Sequence, residues 1–139
     1  MIGFACAAHR VLSGAMPAPI LPLIEAVTHW PERGALVGLD LGTKTIGVAV
    51  SDPDRRLATG VETLHRTAFK ADAARLLAIA GERNAVGFVL GLPINMDGSE
   101  GPRAQSVRAF ARNLARLTDL PIALCSSGFI VAVLASLTP

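Results

Sequence analysis

Tyrosine is absent from this chain of 139 residues, and tryptophan occurs only once. Charged residues make up 17% of the sequence, whereas hydrophobic residues make up 51%. This composition excludes a disordered or fibrous chain, because such chains lack the apolar side chains that fill a core. The length predicts a single domain with one core.

Cysteine is also scarce, since only Cys6 and Cys125 occur and they lie far apart in the sequence. Neither belongs to a CxxC motif or to a cluster with histidine, which argues against a disulfide framework and against a zinc site. A reducing, cytoplasmic location fits this pattern. The glycines form neither a GxxxxGK[ST] loop nor a GxGxxG turn, so the sequence has no standard P-loop or dinucleotide motif.

The formal net charge of +2 is too small to indicate nucleic-acid binding by itself. Lys44 and Lys70 are the only lysines among the 13 basic residues, and all the others are arginine, whose planar fork matches phosphate oxygens. Arg108, Arg112 and Arg116 recur every four residues on one face of a predicted helix, with Arg103 near its start, and no acid offsets them over residues 102–117. Such a row could follow a nucleic-acid backbone, and an ordinary solvated helix face is the alternative.

The hydrophobic pattern from residue 35 onward predicts a mixed α/β sheet. Residues 35–41, 45–52 and 57–66 alternate as three antiparallel strands joined by tight turns. A helix over 68–82 capped by Thr67, a buried strand over 85–93, a helix over 102–117 and a strand over 120–124 follow. Three antiparallel strands followed by αβαβ, with helices on the faces of the sheet, is the ribonuclease H-like arrangement.

Residues 1–34 read as an N-terminal extension placed before this domain, which we expect to span residues 35–139. The extension contains four prolines and no strand alternation. Apolar residues at helical spacing before Pro31 predict a short helix over 20–30.

Asp40 is an acid within an otherwise apolar strand. Residues of equal parity share a strand face, so Asp40 lies with Leu36 and Gly38. A carboxylate in apolar surroundings costs several kcal/mol unless it is neutralised, hydrogen-bonded or bound to a cation. The Thr43 hydroxyl and the Lys44 ammonium follow closely, which favours a divalent metal held against a phosphate. The alternative is that Asp40 only caps the turn.

Three segments carry a family resemblance. "GLDLGTKTIGVAVSD", "VLGLPINMDGSEGPRAQSVRAFARNLA" and "LPIAL" closely resemble, in order and spacing, the YqgF family of pre-16S ribosomal RNA nucleases, also described as Holliday-junction-resolvase-like. The resemblance extends to about residue 124. It implies a ribonuclease H-like fold, a bacterial cytoplasmic protein, and a nuclease that helps to mature the 5′ end of 16S rRNA.

The resemblance also implies roles for individual residues. Asp40 would be the catalytic residue and the first ligand of a pair of Mg²⁺ or Mn²⁺ ions, and pre-16S rRNA or branched DNA would be the substrate. The other residues expected to bind phosphate or nucleic acid are Thr43, Lys44, Asn95, Arg108 and Arg112, and the further candidate metal ligands are Asp97 and Glu100. For the last two, a turn and a helix N-terminus are the structural alternatives.

The end of the chain departs from the family pattern. Family members continue after the last strand with an acidic segment and with helices that carry a further metal-binding aspartate, whereas this chain reads "CSSGFIVAVLASLTP" and has no acid after Asp119. We therefore expect a truncated or frameshifted chain that lacks C-terminal elements and has doubtful activity. The uncharged tail over 120–139 is broken by Pro121 and by "CSSG", which favours a strand over a membrane span.

Two other functions stay open at this point. A non-catalytic RNA-binding or assembly protein would explain the missing acids. Because "GLDLGTK" also resembles the first phosphate loop of the actin, sugar kinase and heat-shock ATPase superfamily, ATP binding is a further alternative. That superfamily binds ATP between two domains, and 139 residues supply one.

Overall fold

The computed structural model describes residues 18–125 of the chain. These residues form six strands, which make one sheet, and three helices. The strands are β1 (Ile20–Pro22), β2 (Ala35–Leu41), β3 (Thr45–Ser51), β4 (Ala58–His65), β5 (Ala85–Gly91) and β6 (Ile122–Cys125), and the helices are α1 (Leu23–Ala26), α2 (Phe69–Glu82) and α3 (Pro102–Ala115).

The sheet has the strand order β1-β6-β5-β2-β3-β4. Strands β1, β6, β5 and β2 are parallel to one another, whereas β3 runs antiparallel to both β2 and β4. Strands β2, β3 and β4 form a three-stranded meander. Strands β5, β6 and β1 extend the sheet in parallel from the β2 side. The predicted ribonuclease H-like mixed sheet is confirmed, and each strand predicted from residue 35 onward matches to within two residues.

Both long helices pack on one face of the sheet. The sequence pattern predicts helices on the faces of the sheet but does not say which face each helix covers. The crossovers β4-α2-β5 and β5-α3-β6 join parallel strands and advance across the sheet in the same direction. Because parallel crossovers are right-handed, two that advance in one direction place their helices on the same side. The main core therefore lies between this helical layer and one face of the sheet.

The main core is built from the alternating side chains of the strands. Val37 and Leu39 of β2 are fully buried, as is Phe88 of β5, and they contact the apolar stripes of α2 and α3. Burying each such side chain stabilises the fold by about 1.5–3 kcal/mol. The two stripes explain why the helices form where their 3.6-residue period predicts them.

A second, smaller apolar cluster covers part of the opposite face. Trp30 lies directly over Gly87 of β5, at the position that a Cβ atom on this glycine would occupy. The indole Nε1 donates a hydrogen bond to the carbonyl oxygen of Pro121 at 3.3 Å, and the Arg55 guanidinium lies 5.7 Å from the ring centroid. A glycine is required at position 87 because of this close approach.

The segment before β2 differs from the helix predicted over 20–30. Residues Ile20–Pro22 form strand β1, which pairs in parallel with β6, and the helix that follows is only the four-residue α1. Pairing with a strand one hundred residues away outweighs local helical spacing here. The division of the chain between residues 34 and 35 stays a prediction, and β1 lies before it in the same sheet.

Thr67 does not cap helix α2, contrary to the prediction. The N-cap residue is Ala68, and no side chain caps it. Instead, the Thr67 hydroxyl and backbone N–H both lie 3.4 Å from Oδ1 of the buried Asp72. Thr67 therefore donates to the Asp72 carboxylate and does not cap the backbone N–H groups at the start of α2.

Candidate active site

The first candidate residue, Asp40, lies at the carboxyl end of β2, beside the centre of the sheet. Its side chain shares a face with Leu36, opposite to the buried Leu39 and Leu41, as the alternation predicts. Gly47 of the neighbouring strand β3 pairs with Asp40, and a Cβ atom on this glycine would stand 3.7 Å from the Cβ of Asp40. The missing side chain leaves the carboxylate partly open to solvent.

Within residues 18–125, the Asp40 carboxylate has no hydrogen bond and no ion pair to another residue. The alternative that Asp40 caps the following turn is thereby wrong for the described residues, because Gly42 and Thr45 close that turn through their own backbone bond of 2.8 Å. Magnesium is commonly held by one or two carboxylates together with substrate phosphate oxygens. A partly buried carboxylate with both oxygens unengaged fits such an ion.

The turn between β2 and β3 lies next to this acid. Thr43 and Lys44 are both exposed at its tip. Arg66, the first residue after β4, holds the turn in place: its side chain donates to the Gly42 carbonyl at 2.7 Å, and its backbone N–H donates to the Lys44 carbonyl at 2.8 Å. The turn therefore presents the Thr43 hydroxyl and the Lys44 ammonium on a backbone that is held by two hydrogen bonds from Arg66.

The loop after β5 lies at the same edge of the sheet as Asp40, because β5 runs parallel to β2 with Leu39 paired to Leu90. Asn95 and Ser99 close this loop through a backbone bond of 2.9 Å and a side-chain bond of 3.1 Å. Gly98 adopts φ +87°, a conformation that favours glycine. The Asn95 side chain thus has a structural role within the loop.

Asp97 is bound inside this loop. Its Oδ1 accepts hydrogen bonds from the Ser99 hydroxyl at 2.6 Å and from the Ser99 backbone N–H at 2.9 Å. The hydroxyl bond is the main reason that the pKa of Asp97 lies below its ordinary value, and the backbone bond adds to it. One oxygen of this carboxylate is engaged in an Asx-type turn, as the structural alternative for Asp97-Gly98 describes.

Glu100 and Arg108 form a bidentate ion pair, with Nε–Oε1 and Nη2–Oε2 distances of 2.6 and 2.7 Å. The side-chain hydrogen bonds lower the pKa of Glu100 and raise the pKa of Arg108. A candidate metal ligand and a candidate nucleic-acid contact therefore neutralise each other. The row of uncompensated charge expected along α3 is interrupted at Arg108, whereas Arg112 is exposed.

The structure does not gather the three candidate acids into one metal centre. No group of three or more histidine, cysteine, aspartate or glutamate side chains could hold a metal ion within residues 18–125. Asp40 has unengaged oxygens, whereas Asp97 and Glu100 are bound to Ser99 and Arg108. Their metal roles stay predictions: Glu100 would need to release Arg108, because both of its oxygens are bound, whereas only one oxygen of Asp97 is engaged.

Sequence reasoning missed a cavity of about 310 Å³ beside the β2–β3 turn. It is lined by Thr43 and Arg66 on the strand side and by Arg103 and Ser106 from the first turns of α3. Arg66 and Arg103 stand 37 positions apart, and they meet because β4 and β5, which precede them, both end on the same side of the sheet. The one sequence signal was the lack of an acid next to either arginine.

No helix in the part of the chain that the structure describes is long and apolar enough to cross a membrane. The uncharged tail over 120–139, for which the sequence suggested a membrane span as the alternative to a strand, lies mostly beyond residue 125 and outside the described residues.

Comparison with solved structures gives distant similarities. A Thermus thermophilus RuvC in complex with a Holliday junction substrate matches with a TM-score of 0.44 and 13% identity, over 67% of this chain and 64% of that one. The Pelota protein of Archaeoglobus fulgidus matches with a TM-score of 0.45 and 13% identity, over 82% of this chain and 34% of that one.

Comparison of sequences gives much closer matches. Proteins of Nitrobacter hamburgensis and of Bradyrhizobium sp. strain BTAi1, each named "Putative pre-16S rRNA nuclease", are 89% and 88% identical over 109 residues. The aligned region covers 78% of this chain and 67% and 68% of those proteins. The profile of the RuvX family, described as a Holliday junction resolvase, matches residues 34–127. The chain therefore belongs to the RuvX family of nucleases, also called YqgF, as its motifs predict.

Proposed function

We propose that this protein is a metal-dependent endonuclease that processes the 5′ end of pre-16S rRNA in the bacterial cytoplasm. The observation that carries the proposal is Asp40, whose partly exposed carboxylate lies at the carboxyl end of a central strand and has no partner within residues 18–125. Ligands of α/β sheets bind at this edge. The names of the relatives support pre-16S rRNA as the substrate, and the family description makes branched DNA the second candidate.

Asp40 would hold a Mg²⁺ or Mn²⁺ ion, because it is the only one of the three candidate acids whose two carboxylate oxygens both make no bond within residues 18–125. When bound, such an ion supplies Lewis-acid activation and charge stabilisation for phosphodiester hydrolysis. The face around Asp40 carries no side chain at Gly47, so a phosphate has room to approach.

Thr43 and Lys44 would position the phosphodiester. The turn that carries them is fixed by Arg66, so the hydroxyl and the ammonium are held in place before substrate binds. A fixed donor pair lowers the entropy cost of aligning the reacting phosphate and stabilises its developing negative charge. Lys44 serves as a point charge, since nothing in the described chain neutralises it.

The loop after β5 and helix α3 would bind the flanking nucleic acid. Arg112 is exposed and available for a backbone phosphate. Arg108 becomes available only when Glu100 releases it, and the same exchange frees the Glu100 carboxylate for a metal. Asn95 and Asp97 shape the loop that faces the substrate.

The substitution Asp40→Asn tests this function. It keeps the shape of the side chain and removes the charge that would hold the cation, so we expect loss of all Mg²⁺- or Mn²⁺-dependent cleavage. The matched control is Asp54→Asn, which alters an exposed acid whose ion pair with Arg33 is 3.5 Å long. Cleavage is measured on a labelled 5′ segment of pre-16S rRNA and on a four-way DNA junction, each with metal and with EDTA.

The outcomes separate the alternatives. Faster cleavage of the RNA than of the junction supports the rRNA assignment, and the reverse replaces it with branched DNA. Cleavage by Asp40→Asn at the wild-type rate overturns the catalytic role of Asp40. RNA binding without any cleavage by the wild-type chain favours the non-catalytic RNA-binding protein.

A further inference from the structure

The cavity beside the β2–β3 turn has the charge of an anion site. Four of its lining residues carry hydrogen-bond donors: the guanidinium groups of Arg66 and Arg103 and the hydroxyl groups of Thr43 and Ser106. Among residues 18–125, no carboxylate lines this cavity. The first turn of α3, which contributes Arg103, contains no acid either.

The two arginines keep their charge uncompensated. Arg66 is held by the neutral Gly42 carbonyl and lies 5.9 Å from the ring centroid of Phe110. Within residues 18–125, neither Arg66 nor Arg103 forms an ion pair. By contrast, Arg75 and Arg108 on the same helical layer are bound bidentately by Glu62 and Glu100.

This difference separates stabilising arginines from available ones. An arginine bound to a carboxylate has used the fork that matches a phosphate, whereas Arg66 retains most of its donors and Arg103 all of them. Arg66 is also restrained by its bond to the turn, so it loses little freedom when an anion binds. The two guanidinium groups and the Ser106 hydroxyl that line the cavity match the oxygens of a phosphate diester.

The cavity lies on the other side of β2 from the candidate catalytic acid. Leu41 lines the cavity and packs in the main core, whereas the side chain of the adjacent Asp40 points to the opposite face. A phosphate in the cavity therefore cannot be the one that Asp40 acts on. The β2–β3 turn, with Lys44 exposed at its tip, separates the two positions.

We propose that this cavity binds a backbone phosphate next to the cleaved phosphodiester on the same nucleic-acid strand, through Arg66, Arg103 and Ser106. The inference rests on the proposed function for its choice of ligand. The strand crosses the β2–β3 turn, with one phosphate against Asp40 and a neighbouring one in the cavity. The site thereby fixes the register of the strand without reading its bases.

Binding of RNA without metal tests the proposal separately from catalysis. A fluorescein-labelled single-stranded RNA of 12 nucleotides is titrated with the protein in EDTA, and anisotropy is followed at several salt concentrations. Arg103→Gln removes one contact, so we expect the slope of log K against log salt to fall by about 0.7 and the affinity to fall about fivefold at 0.1 M salt. Arg66→Gln should do the same.

The matched control is Arg83→Gln at the far end of α2, an exposed arginine with no ion pair in the described chain. It should bind RNA as the wild type does. Circular dichroism checks that Arg66→Gln folds. If Arg66→Gln fails to fold, Arg103→Gln still provides a valid test, because the Arg103 side chain makes no bond in residues 18–125.

Equal RNA affinity for Arg103→Gln and Arg83→Gln would overturn the proposal. Inorganic phosphate should weaken RNA binding only as much as KCl at the same ionic strength, and specific displacement by phosphate would make this a site for the free anion instead. If Arg103→Gln weakens binding while Asp40→Asn still cleaves at the wild-type rate, the proposed catalytic role fails and the phosphate site stands.

Discussion

Replacing the candidate catalytic acid by an apolar residue should stabilise the fold while it abolishes activity. Asp40 occupies a strand position, and its carboxylate gains no hydrogen bond or ion pair within residues 18–125. Valine has a higher strand propensity than aspartate, on a scale that spans about 1 kcal/mol. Gly47 opposite leaves space for the branched side chain, because even a Cβ there would stand 3.7 Å away. We therefore expect Asp40→Val to raise the free energy of unfolding by about 1 kcal/mol.

For a chain of 139 residues, a gain of this size corresponds to a rise of about 3–4 °C in Tm. The assay is thermal and urea unfolding followed by far-UV circular dichroism. The contrasting variant is Asp52→Ala, because Oδ1 of Asp52 accepts hydrogen bonds from the backbone N–H groups of Arg56 and Leu57 at 2.9 and 3.0 Å. Its Tm should fall. If Asp40→Val lowers Tm as Asp52→Ala does, the carboxylate contributes to stability and is not reserved for a ligand.

Two further predictions concern the fold. Gly87→Ala should lower the free energy of unfolding by about 1–3 kcal/mol, since the new Cβ collides with the Trp30 indole, and in a Trp30→Ala background the same change should cost almost nothing; additive effects would contradict this. The pKa values of Glu62 and Glu100 are lowered by Arg75 and Arg108, so the unfolded chain binds more protons and stability should fall as pH drops below their ordinary value of 4.5. A Tm that holds steady from pH 6 to pH 3 would refute this assignment.

Local pattern was sufficient to predict most of the elements. The alternation along residues 35–41 set both the strand and the orientation of Asp40, because a period of two assigns each side chain to one face. The three-residue β1 could not be found in this way. It exists through pairing with β6, and nothing in Ile20–Pro22 itself distinguishes it from the helical spacing that follows.

The candidate site shows the same division. Asp40, Thr43 and Lys44 are adjacent in sequence, so their proximity follows from one turn. The ion pair of Glu100 with Arg108 joins a loop to the next helix, and examining the helix alone could not reveal it. The pairing of Arg66 with Arg103 around one cavity depends on the order of the strands, which only the assembled sheet specifies.

The packing of Trp30 on β5 also provides an optical probe of this protein. Because the sequence has one tryptophan and no tyrosine, ultraviolet emission excited at 280 nm arises from a single side chain. That side chain is 6% exposed and touches the sheet at Gly87, on the face opposite to the long helices. Its fluorescence therefore reports on the second apolar cluster alone, whereas circular dichroism of the peptide bonds reports on the whole fold. Comparing the two signals during unfolding would reveal whether the two faces of the sheet come apart together, in the natural chain and without an added label.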